Sequence, residues 1–99
     1  MEFSIKRRES SKAAEQNRCY IIKLAPYIVH PSDNFTLASN WNKGIVPKSE
    51  YLKCTITQIM GKMLKVDGTG YDFVTGSDLN DSYIGLWLPS AGVEIKEEL

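Results

Sequence analysis

The stretch Glu50 to Val66, EYLKCTITQIMGKMLKV, limits the fold of this chain more than any other. Its even positions, Leu52, Cys54, Ile56, Gln58, Met60, Lys62, Leu64 and Val66, are mostly apolar. Its odd positions, Tyr51, Lys53, Thr55, Thr57, Ile59, Gly61, Met63 and Lys65, are mostly polar or amphipathic. Successive side chains of a strand point to opposite faces, so this alternation predicts a sheet buried on one side and wetted on the other. Gly61 interrupts the run where a tight hairpin needs a residue free to take positive φ. A helix is the competing reading, because Leu52, Ile56, Ile59, Met60, Met63 and Leu64 also share a helical stripe that Ser49 would cap. The β-branched residues of CTIT-QI and the internal glycine weigh against it, and the strand reading is preferred.

Ninety-nine residues make one domain with one small core. Twelve basic and twelve acidic side chains cancel, so no global field draws the chain to nucleic acid or a membrane. The charges are unevenly placed: residues 1–23 carry a net +3 and residues 67–99 a net −6. Cys19 and Cys54 make no disulfide framework, although a single bridge is open to them if they face each other. No apolar run approaches the ~20 residues of a membrane span, and the N-terminus is polar and basic rather than leader-like. The expected setting is cytoplasmic, reducing and away from membranes.

Residues 1–18 carry only Phe3 and Ile5 as bulky apolar groups, which predicts a basic arm, mobile or briefly helical through KAAEQNR, ahead of a domain over 19–99. Cys19 to Val29 reads as a first strand, with Tyr20, Ile22 and Leu24 on one side and Pro26 shifting register or marking an edge. His30 to Asn34 is a turn cluster, followed by an irregular loop containing Trp41. Asp67-Gly68-Thr69-Gly70 predicts a hairpin turn. Tyr71–Thr75 then makes a short strand, 76–82 a solvated loop, Tyr83–Leu88 a strand, and Val93–Ile95 closes the sheet. The fold class is all-β, a small barrel or sandwich of five to six short strands.

Two stretches within 43–95, KGIVPKSEYLKCTITQIMGKMLKV and IGLWLPSAGVEI, resemble the SH3-type barrel, especially its bacterial form. The first is similar to the family's glycine turn and long hairpin. The second is similar to its closing element, a Gly-aromatic strand, a Pro-Ser turn of one 3₁₀ step and a last Val-containing strand. The resemblance implies an SH3-like barrel. It transfers the peptide-binding platform poorly, since Gly92 stands where a tyrosine is expected after the Pro-Ser turn and Met60–Leu64 contains no tryptophan pair.

No constellation points to catalysis. A general base needs an orienting acid and a nucleophile, and for His30, in a turn cluster, Asp33 alone does not make that case. One histidine and two scattered cysteines fit no zinc pattern, and the acids of 67–81 lack the spacing of a calcium loop. No cofactor, metal or enzymatic activity is expected. The leading expectation is a protein-interaction or adaptor domain contacting another macromolecule through Tyr27, Trp41, Tyr71, Tyr83 and Trp87, because aromatic residues dominate interface hot spots. Trp87 shares parity with Tyr83 and Gly85. It stands outside if Ile84, Leu86 and Leu88 are buried, and otherwise fills the core. The alternative is nucleic-acid binding through Lys6, Arg7, Arg8, Lys53, Lys62 and Lys65. A homodimer through an exposed edge strand is also open.

Overall fold

The computed structural model describes residues 14–30 and 45–99. Its elements are β1 (Cys19–Leu24), one turn of helix α1 (Pro26–Val29), β2 (Tyr51–Met60), β3 (Met63–Asp72), β4 (Ser77–Pro89), a 3₁₀ turn (Ser90–Gly92) and β5 (Val93–Glu98). All five strands form a single antiparallel sheet in the order β4-β3-β2-β1-β5. The all-β expectation is met, and the helical alternative for 50–66 is gone. β2 and β3 pair as Met60↔Met63 and Ile59↔Leu64 around a turn at Gly61 and Lys62.

The alternation sorts as its pattern requires up to Ile56 and again from Leu64, interrupted by a bulge between Ile56 and Gln58 and an exposed hairpin tip. Leu52, Cys54 and Ile56 of β2 and Leu64 and Val66 of β3 join Tyr20, Ile22 and Leu24 of β1 in the core, with Ile28, Tyr83, Leu86 and Leu88 completing it. Cys54 lies in this core while Cys19 is exposed, so the two thiols are free and on opposite faces.

Four local expectations are corrected. The first strand ends at Leu24, and Pro26 opens α1, as suits a residue whose fixed φ and missing N–H fit a first helical turn. Asp67–Gly70 is no turn but lies inside β3 opposite Leu52–Thr55. Gly68 serves close approach there, since a Cβ on it would stand 2.6 Å from Cys54 Cα and Cβ. The turn falls instead at 73–76, where the Asp72 carboxylate accepts the N–H groups of Val74 (3.0 Å) and Thr75 (3.1 Å). The residues beyond it, read as loop, open β4.

The fourth correction concerns parity in β4. Val66 pairs with Leu86 and Gly68 with Tyr83, so Ile84 and Gly85 together oppose Asp67 in a bulge. Gly85 takes φ +67°, and its N–H is held by Asp67 Oδ1 at 2.7 Å. The bulge returns Tyr83 to the same face as Leu86 and Leu88, leaving Ile84 86% exposed.

Part of the expected arm belongs with the sheet. Asn17 N–H donates to the Ile56 carbonyl (2.6 Å), Ile56 N–H to that of Arg18 (2.9 Å), and Ala14 packs on the core. Among the described residues no helix is long and apolar enough to cross a membrane.

Candidate protein-interaction face

The face of the sheet opposite the core is not simply wet. β2 turns Tyr51 and Lys53 onto it, and β3 delivers Tyr71 two residues before its turn. Phe73, the first residue of that turn, stacks on Tyr51 at 4.9 Å between centroids and 10° between planes. Tyr71 meets Phe73 edge-on at 6.5 Å and 67°. Both are favourable aromatic geometries, because the electron-rich faces avoid a direct sandwich or meet a positive edge. Ile21, on this face by alternation, is only 2% exposed.

Three ion pairs ring the cluster: Lys23–Glu50 at 3.6 Å, Lys53–Asp78 at 3.4 Å and Lys96–Glu94 at 3.3 Å. All six side chains are substantially solvated, so each pair contributes little stability. Lys23 also lies over the Tyr51 ring at 6.0 Å and Lys96 over Phe73 at 5.9 Å. The result is an aromatic centre with a charge-balanced rim. Val74, 95% exposed, projects at the tip of the turn beside it.

The residues expected to make contact are dispersed. Tyr71 belongs to the cluster. Trp87 is half-buried on the same face opposite Lys65, whose ammonium lies 5.7 Å from its ring centroid. Lys65 and Tyr71 are six residue steps apart on β3, about 20 Å along a strand. Tyr27 is 36% exposed on α1, packed with Ile28 against Gly92, where a Cβ would stand 2.6 Å from both side chains. Trp41, Lys6, Arg7 and Arg8 lie outside the described residues. Of the hairpin lysines, Lys53 is ion-paired, Lys65 covers Trp87, and Lys62 is exposed in the β2–β3 turn.

Tyr83 is corrected from a contact residue to a core residue, 9% exposed. Its hydroxyl donates to the Asp81 carboxylate and accepts the Lys48 N–H at 2.9 Å. Ser49 Oγ donates to the same carboxylate at 2.9 Å. Burial, then the bond to Asp81, pushes the Tyr83 phenol up to about 12. Burial alone would raise the Asp81 carboxyl, but the hydrogen bonds from Tyr83 and Ser49 outweigh it and hold that group below its usual value. This network pins the segment entering β2 to β4.

The contributions of Phe73, Tyr51, Lys23 and Lys96 were hidden by the misplaced turn at Asp67-Gly68. Counting the Gly61 hairpin residue by residue sets Tyr51 opposite Asp72, and only the bulge between Ile56 and Gln58 brings it level with Tyr71 and next to Phe73. Among the described residues no set of three His, Cys, Asp or Glu side chains assembles as metal ligands. No family model, no curated protein and no solved structure matches the chain in comparison.

Proposed function

We propose that the protein is a non-catalytic interaction domain that binds a protein partner through the outer face centred on Tyr51, Phe73 and Tyr71. The observation that carries this reading is the aromatic centre inside a rim of three balanced ion pairs. Interface hot spots have this make-up, large aromatic groups surrounded by polar residues that exclude water. Tyr51 and Tyr71 stand on paired strands and Phe73 packs against both, so these rings lose little freedom on binding, which favours affinity.

The nucleic-acid alternative draws less support. Lys53, Lys23 and Lys96 are each matched by a carboxylate, so the face presents little net positive charge to phosphate.

The scaffold is best read as an SH3-like barrel. The 3₁₀ turn at Ser90–Gly92 between β4 and the Val-containing β5 supports this. The full burial of Tyr20, Ile22, Leu52, Ile56 and Leu88, all at 0% exposure, is in keeping with a closed sheet.

Affinity capture from the native host with the full chain and with Phe73→Ala tests the function. A hot-spot aromatic contributes about 2 kcal/mol or more, roughly a thirtyfold weakening on truncation. The captured partner is expected to be lost with Phe73→Ala while the melting temperature holds. Undiminished capture by the variant removes the reading.

A further inference from the structure

Three lysines of the outer face lie over aromatic rings, on Tyr51, Phe73 and Trp87. Each ammonium lies 5.7–6.0 Å from its ring centroid, within reach of a cation–π contact, so all three rings face a cation. The occupant of Phe73 is weakly held. Lys96 lies 5.9 Å from the ring centroid and pairs with Glu94, two residues away on an exposed strand, where an ion pair contributes little.

A guanidinium suits this position better than an ammonium. It is planar and weakly hydrated, and it stacks on a ring while its N–H edge reaches a carboxylate. Phe73 lies nearly parallel to Tyr51 beneath it and is 39% exposed. Glu94, 3.3 Å from the Lys96 ammonium that lies over the ring, supplies the carboxylate such an edge would meet.

We propose that the Tyr51–Phe73 stack docks an arginine-bearing segment of a partner protein, its guanidinium lying on Phe73 in place of the Lys96 ammonium and pairing with Glu94. This rests on the protein-interaction reading and specifies the chemistry of the contact. Lys96 swings aside to solvent as the guanidinium enters.

The test titrates the full chain with octa-arginine, octa-lysine and octa-glutamate at physiological salt, by calorimetry and by NMR. Octa-arginine is expected to bind about two- to fivefold more tightly than octa-lysine and to shift the resonances of Phe73 and Glu94. Phe73→Leu keeps the apolar contact but has no π face, and is expected to abolish that preference. Lys96→Ala leaves the stack in place and removes the resident cation, so it is expected to tighten arginine binding. Equal affinity for the two cationic peptides, a preference surviving Phe73→Leu, binding of octa-glutamate, or arginine affinity unchanged in Lys96→Ala each overturns the proposal. Its failure is separable from that of the broader reading. Partner capture that depends on Phe73 without any arginine preference sinks only this inference, whereas capture indifferent to Phe73 sinks both.

Discussion

Tyr83 shows how one hydroxyl decides whether an aromatic residue serves packing or contact. Its ring lies in the core and its oxygen has two partners, Asp81 and the Lys48 N–H. Tyr83→Phe should therefore cost about 2 kcal/mol, the usual scale for losing a buried hydrogen bond to a charged group, read as a lower urea midpoint at unchanged slope. The alkaline limb of stability should change too. The folded phenol titrates at about 12, above the roughly 10 of an unfolded tyrosine. Its contribution is complete below about pH 10 and is lost as pH rises toward 12, at up to about 1.4 kcal/mol per pH unit. Tyr83→Phe should flatten that decline, and an identical alkaline slope in both proteins would contradict the assignment. The Cys54 thiol, pushed up to about 12 by burial, adds a similar loss that begins at lower pH.

At the scale of the strand, two glycines do different work, and stability measurements should separate them. Gly85→Ala places a side chain at φ +67°, at roughly 1–2 kcal/mol, with only Lys65 Cε at 3.4 Å nearby. Gly68→Ala puts a Cβ against the Cys54 backbone at 2.6 Å, which requires β2 and β3 to part. Denaturant titration should rank Gly68→Ala as the more damaging, and the reverse order would argue against the close approach of these strands. The same residues show what the sequence makes legible. The alternation of 50–66 was readable because burial on one face imposes period two on side-chain chemistry. The Gly-rich run at 67–70 was misread because a glycine admitted for close packing is indistinguishable in one dimension from a glycine admitted for a turn. Trp87 could be placed from parity only once the bulge at Gly85 was known, since each bulge reverses the parity of everything before it. The aromatic face depended on register, a property of two strands rather than of either one.

For the whole molecule, the arrangement divides labour between the two faces of one sheet. The inner face carries the stability. The outer face holds rings and balanced, solvated charges whose loss should cost the fold little. The two outermost strands discourage uncontrolled pairing: β4 carries Asp78, Asp81 and a bulge, while β5 carries Glu94, Glu97 and Glu98 and meets β1 with a register shift. A homodimer through either edge would have to overcome both features.

The pinning of Lys48 and Ser49 by Tyr83 and Asp81 has a consequence for how freely this protein can be rebuilt. On the near side His30 N–H bonds the Pro26 carbonyl at 2.7 Å, and on the far side Pro47 is buried, so the chain leaves β1 and arrives at β2 from fixed posts. The posts can be loosened one at a time: Ser49→Ala removes one donor to Asp81 and leaves both Tyr83 bonds, so it should lower the urea midpoint by less than Tyr83→Phe does, and an equal or larger loss would mean that Ser49 holds the entry to β2 by more than this bond.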